Sequence, residues 1–335
     1  GVNGGWAMLY GANPLSHATI HVAIDEDTIG DAERNHTEEQ VAYVVFEATA
    51  GAQTVTFEEG VVSNVDNDGW TTVNLSNTYT SMVVVCTPNY DSQSVPLVTR
   101  IQNASGSSFD VKVQRADGLT GTVTGVDVHY FVVEEGVYTY ADHGVRMEAV
   151  KYTSTMTDRK GAWSGESRGY GNGYAAPVVL GQVMTANDAG FSAFWSRGSA
   201  VGNPADGSDL YVGKHVGEDT DTTRENETIG YVVFESGLGS LNGQDFLVGL
   251  GGDAVQGVGN SPGYNYGLTG LDSAGTAVVS QAAMDGVDGG WAMLYGSSPV
   301  GASQLTLAID EDQIGDSERG HTTEQVGYLV FETAV

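Results

Sequence analysis

GVDGGWAMLYGSSPVGASQLTLAIDEDQIGDSERGHTTEQVGYLVFETAV, residues 286–335, decides the fold, because residues 1–50 repeat it without a gap. GVNGGWAMLYG at 1–11 answers GVDGGWAMLYG at 286–296, AIDEDTIGDAERNHTEEQVAYVVFE at 23–47 answers AIDEDQIGDSERGHTTEQVGYLVFE at 308–332, and 30 of 50 positions are identical. An internal copy at a fixed offset is the signature of a tandem-repeat architecture. Each copy ends in an aromatic-rich strand closed by Glu, YVVFE from Tyr43 and YLVFE from Tyr328, and similar endings stand at YFVVEE from Tyr130 and YVVFE from Tyr231. The successive spacings of 87, 101 and 97 residues match a small β-sandwich. Their β-branched and aromatic residues suit strands buried on both faces.

Upstream of each ending the elements recur in one order. VPLVTRIQN (Val95–Asn103) precedes FDVKVQRAD (Phe109–Asp117), APVVLGQVM (Ala176–Met184) precedes FSAFWSRG (Phe191–Gly198), and AVVSQAAMD (Ala277–Asp285) precedes GGWAMLYG (Gly289–Gly296). The first segment starts at GGWAMLYG and lacks that preceding strand. The expectation is therefore all-β: a partial antiparallel β-sandwich module at 1–50 and full modules at 51–140, 141–237 and 238–335. Asn3-Gly4, Asp68-Gly69, Asp117-Gly118 and Asp206-Gly207 supply turns. GDAERNHTEEQVAY (Gly30–Tyr43) is polar at nearly every position and reads as a loop with at most one helical turn.

With 43 acidic against 13 basic residues the formal charge is -30. Such a surface repels polyanions and attracts divalent cations or basic partners. Nucleic-acid binding is excluded as an expectation, since phosphate contacts need clustered Lys and Arg and the only lysines are Lys112, Lys151, Lys160 and Lys214. Acid-rich, Lys-poor surfaces also suit salty settings, where mobile ions screen self-repulsion. The single cysteine, Cys86, forms no intrachain disulfide and reads as a small buried hydrophobe. No apolar run reaches membrane-spanning length, and no signal segment opens the chain. Because Gly1 falls inside a repeat, a mature or excised portion of a longer chain is expected.

A partial module exposes an apolar face and unpaired strand edges, so something must complete it. Either a continuation of the polypeptide or a neighbouring subunit, as in donor-strand complementation, could do so. Trp6, Tyr43 and Phe46 are the apolar residues expected to be buried by that assembly. The offset of 285 between the copies suggests a super-repeat that, laid head to tail, builds a filament or stalk from copies of the chain.

VVSNVDNDGWTTVNL, YTSMVVVCTPNY, VPLVTRIQN, FDVKVQRAD and VHYFVVEEGVY, in that order, resemble the H-type lectin domain, a six-stranded antiparallel β-sandwich of the snail-agglutinin kind. The resemblance covers about 85 residues: Asp68-Gly69-Trp70 matches the opening turn, Pro96 the Pro before a central strand, Phe109 the start of the fifth strand, and Tyr130–Glu135 the closing strand. It implies binding of N-acetylgalactosamine-type glycans, here through Asp68, Trp70 and adjacent loops. The family's cysteine pair is absent.

The sharpest polar cluster is Asp25, Glu26, Asp27, Asp31, Glu33 and His36, repeated as Asp310, Glu311, Asp312, Asp316, Glu318 and His321. Carboxylates at Asp25, Asp27, Asp31, Glu33, Asp310, Asp312, Asp316 and Glu318 could wrap calcium through oxygen ligands. A solvated acidic loop with Arg34 or Arg319 in an ion pair is the alternative. This is no EF-hand, since the loop joins strands and His stands where the closing Glu should be. Asn64–Gly69 imitates half a calcium loop without its closing Glu. Gly165–Gly169 matches the nucleophile-elbow spacing, but GYGNGYAAP follows where a helix is required, so a glycine-rich loop is expected. The seven histidines show no metal-protease spacing, and no phosphate loop or dinucleotide fingerprint is present, so no enzyme is expected. Asn35, Asn74, Asn103 and Asn226 each head an N-x-S/T triplet, which suits an extracellular or cell-surface setting. Two functions follow as expectations: a non-enzymatic structural or adhesive repeat protein that polymerises, or a glycan-binding array, the latter conceivably serving a polysaccharide-active protein.

Overall fold

Runs of β-branched and aromatic residues become strands in the computed structural model, which describes residues 4–12, 14–15, 19–30, 32–45 and 53–333. Strand accounts for 49% of the chain and helix for 2%, in several antiparallel sheets, so the all-β expectation holds. Two units divide the chain, Gly1–Ala48 and Thr49–Val335. In the first, β1 (Gly5–Leu9) and β2 (Val22–Glu26) form an antiparallel ribbon with Trp6 opposite Asp25. Residues 41–45, where the closing strand was expected, are in no strand, and Tyr43 and Val44 are exposed. A strand without ladder partners has nothing to satisfy its backbone but water. Phe46 and Asp31 lie outside the described residues.

The second unit holds three groups of strands. In the first group β3 (Phe57–Val65), β4 (Thr71–Tyr79), β5 (Met82–Tyr90), β6 (Leu97–Arg115) and β7 (Val126–Glu134) make the sheet order β5-β7-β3 and the pair β4-β6. Two strands were expected within 95–117, and the structure has the single β6. Asn103 and Gly106 take left-handed backbone angles there (φ 53° and 62°), which lets the Ser-rich middle bend without ending the strand.

The second group comprises β8 (Gly136–Tyr138), β9 (Met147–Ser154), β10 (Glu166–Arg168), β11 (Pro177–Val183), β12 (Ala193–Arg197), β13 (Leu210–His215) and β14 (Glu227–Glu235). The third comprises β15 (Gly237–Leu241), β16 (Gln244–Leu250), β17 (Tyr264–Gly267), β18 (Thr276–Gln281), β19 (Trp291–Tyr295), β20 (Val300–Gly301), β21 (Gln304–Asp310) and β22 (Val326–Phe331). Their sheets correspond strand for strand: β11-β14-β9-β8 with β18-β22-β16-β15, and β10-β13-β12 with β17-β21-β19. Strand β10 occupies the segment expected to be a glycine-rich loop, with Gly165 at φ 66° turning the chain into its pairing with β13.

The groups share one apolar core that contains Val84 and Phe131, Leu180 and Phe234, and Val278 and Phe331. Phe131, Phe234 and Phe331 come from the three closing strands β7, β14 and β22. The Phe131 ring lies 5.4 Å from Phe331 and 6.1 Å from Phe234, and Phe246 joins Phe234 and Phe331 at 5.5 and 5.8 Å. Each group also leans on another. β19 of the third pairs in parallel with β5 of the first, Ser196 of the second bridges Ala282 of the third, and Thr99 of the first donates to Gln182 of the second at 2.9 Å. Such head-to-tail contacts close into a ring when the rotation permits, and here three groups complete it.

Candidate functional site

The two copies of the 50-residue element have opposite environments. Their ribbons have the same register: Trp6 opposite Asp25 and Ala7 opposite Ile24 in one, Trp291 opposite Asp310 and Ala292 opposite Ile309 in the other. Arg34 pairs with both carboxylate oxygens of Asp25, as Arg319 does with Asp310 at 2.8 and 2.7 Å. Trp6 is nevertheless 52% exposed, whereas Trp291 is 6% exposed and packs with Val98, Phe191 and Val216.

What seats the second copy is made almost wholly from residues 53–285. Leu294 and Tyr295 pair with Asn89 and Tyr90 of β5, while β22 lies between β16 and β18. A polar lock holds the ribbon: the Tyr90 hydroxyl donates to Asp310 at 2.6 Å, and the Arg319 guanidinium donates to the Ser94 carbonyl at 2.6 Å. In the first unit a groove of about 410 Å³ opens beside Gly4, Gly5, Ala7, Ile24, His36 and Glu39. Around the equivalent Gly289 and Gly290, Trp163 and Gln281 fill the space, with Trp163 Cη2 2.7 Å from where a Cβ on Gly289 would lie.

The acidic residues sort into different duties. Asp310 is fully buried and engaged by Arg319 and Tyr90. Asp312, also buried, accepts from the backbone amides of Glu218 and Ile314, and Asp316 from that of Glu318. In the first unit Asp27 accepts from the Ile29 amide and Glu33 from the Asn35 amide. Of the expected ligands among the described residues only Glu318 joins a group that could hold a metal ion, with Asp288 and Glu311, their ligand atoms within 4.8 Å of one another. Glu311 is 2% exposed, and its Oε1 has no hydrogen-bond partner, while Oε2 lies 3.0 Å from His321 Nδ1. Burial raises the Glu311 carboxyl to about 7 even against the opposing pull of His321. Lys160 pairs with Asp288 and with Glu218 beside the group.

Glu311 stands inside the quoted AIDED run and Asp288 inside GVDGGW, where the first copy has Asn3. That difference was the sequence signal for the group, and only folding brings the two carboxylates to Glu318.

Trp70 is half-buried with Lys112 Nζ 4.8 Å from its ring centroid, and Asp68 is exposed on the preceding turn. Cys86 is buried and its thiol pushed up by desolvation. It lines a cavity of about 50 Å³ between the strand groups with Thr99, Gln182 and Ser280. Asn35, Asn74, Asn103 and Asn226 are all exposed. Among the described residues no helix is long and apolar enough to cross a membrane. Comparison with protein-family models, curated proteins and solved structures finds no match.

Proposed function

We propose that this is a non-enzymatic, extracellular structural or adhesive repeat protein that associates end to end with copies of itself. One observation carries the reading: an element that is buried in the second unit stands bare in the first, with Trp6, Leu9, Tyr10, Tyr43 and Val44 exposed together. Exposed apolar surface of this extent, on an element whose twin is seated, is surface built for a protein contact. The charge of -30 keeps such copies apart except where apolar surface meets, and the four exposed N-x-S/T asparagines suit an extracellular setting. Sedimentation and electron microscopy of the full chain should show concentration-dependent oligomers or filaments that vanish when residues 1–50 are deleted. Monomers at every concentration would overturn self-association. Selective retention on a glycan array, lost in Trp70→Ala, would instead favour the lectin alternative, although Lys112 lies over the ring a sugar would stack on.

The free Oε1 of Glu311 supports a second element of the reading, a calcium ion held by Asp288, Glu311 and Glu318. Hard oxygen ligands suit it, and a cation would offset the cost of a buried carboxylate oxygen without a donor. Millimolar calcium should raise the melting temperature and chelator reverse it, since a ligand of the folded state stabilises that state. Glu311→Gln should lose the response; identical melting curves with calcium and with chelator would remove the ion from the reading.

A further inference from the structure

The three carboxylates that could hold an ion lie in the third strand group, and a lysine reaches them from the second. Lys160, in the connection between β9 and β10, pairs with Asp288 of the carboxylate group and, at 2.7 Å, with Oε1 of Glu218 beside it. We infer, resting on the calcium reading above, that the Lys160 ammonium is a tethered competitor of the ion: it holds Asp288 in the ion-free protein, withdraws to Glu218 when the ion enters, and so sets how tightly the ion is bound.

Electrostatics call for positive charge at this place. Asp288, Glu311 and Glu318 bring their ligand atoms within 4.8 Å of one another, and the buried Glu311 keeps Oε1 without a hydrogen-bond partner. Like charges so close repel one another unless a cation lies among them. Lys160 is charged at neutral pH and supplies part of what is missing, but of the three carboxylates it pairs with Asp288 alone. A doubly charged ion bound through oxygens of all three answers the charge that a single ammonium leaves unmet. Both cations need the same Asp288 carboxylate, so one excludes the other from it.

The surroundings let Lys160 hold on and let go. Its backbone is fixed, since its amide donates to the Gly217 carbonyl at 2.7 Å and the nearby Asp158 amide donates to the Lys214 carbonyl at 2.9 Å. Its side chain is 44% exposed, on a flexible four-carbon stem, so leaving Asp288 uncovers no packed surface. Ion pairs with an exposed partner are weak and easily exchanged. Glu218 is the place of withdrawal: its carboxylate is largely buried and already engages the ammonium, and its amide donates to Asp312 Oδ2 at 2.9 Å, which fixes it beside the ion group. Lys160 and Glu218 belong to the second strand group and the three ion ligands to the third, so the exchange takes place across the seam between them.

Calorimetric titration of calcium into the full chain tests the competition. Lys160→Met should tighten calcium binding about tenfold or more, within the range usual for two coupled ligands, whereas Lys160→Arg, which keeps the charge, should bind no more tightly than the wild type. Calcium should also raise the melting temperature of Lys160→Met by more than it raises that of the wild type, a difference that a lysine with a purely structural role would not produce. Lys160→Gln replaces Lys160→Met should that variant not fold. Calcium affinity unchanged or weakened in both uncharged variants, with binding by the wild type intact, overturns the competition and leaves the ion site standing. Equal tightening in Lys160→Arg overturns it as well, because charge would then not be the cause. No calcium uptake by the wild type or by either uncharged variant overturns the ion site and the competition together.

Discussion

At the scale of single residues, burial decides which polar groups matter. His129 on β7 is buried, and its Nδ1 accepts from the Ala277 amide of β18 at 3.2 Å, tying the first strand group to the third. Burial holds its pKa down at about 4, against a smaller raising pull from Asp127. The folded state thus keeps the ring neutral while the unfolded chain takes up a proton below about 6.5, so the stabilisation is complete above that pH and is lost as pH falls through 6.5 toward 4. The span corresponds to about 3 kcal/mol. His129→Gln retains an acceptor without the titration, and denaturant unfolding between pH 7 and 4 should show a shallower loss than wild type; parallel curves would mean that His129 contributes nothing to acid sensitivity. Only the positions of the seven histidines were visible in the sequence, because the contact that engages His129 comes from a strand 148 residues away.

At the scale of the element, one amino-acid pattern has two fates, and a matched pair of substitutions measures the difference. Trp291→Ala should cost about 3–5 kcal/mol, as for other buried aromatics. Trp6→Ala should change the stability of the second unit by less than about 0.5 kcal/mol, the usual range for exposed positions. Urea unfolding of both variants checks this, and equal losses would mean that Trp6 is buried by the native protein in solution. Only the first strand of the hairpin was legible in advance: GGWAMLYG read as a strand, whereas the IDED run read as an acidic loop, and its first residues instead close a second strand in both copies, in one register. The closing strand was legible only as a pattern, since residues 41–45 are in no strand where Tyr328–Phe331 lie between β16 and β18.

At the scale of the molecule, the three closing-strand phenylalanines make the second unit a single structure. Phe131→Ala removes a ring that touches Phe57, Phe234 and Phe331, and should cost about 3–5 kcal/mol. Unfolding of the second unit should remain one transition reported alike by fluorescence and far-ultraviolet dichroism, because the second and third groups, although each has a smaller apolar cluster of its own, share the largest core with the first. Two resolved transitions for residues 53–333 would show instead that the groups fold separately.

The sequence alone determined the all-β class, the strand endings from Tyr130, Tyr231 and Tyr328 and the duplication, because strand patterning and turn chemistry are local and identity between segments needs no coordinates. It also placed Glu318 among the candidate ligands. Tertiary structure decided that three strand groups close on one another around Phe131, Phe234 and Phe331, and that Asp310 belongs to Arg319 and Tyr90 while Glu311 keeps a free buried oxygen. It decided, too, which copy of the element is seated. The physical reason is the same in each case: these outcomes depend on residues brought together from distant parts of the chain, and of two copies alike at 30 of 50 positions the second is buried by β5, β16 and β18, which its own sequence does not reveal.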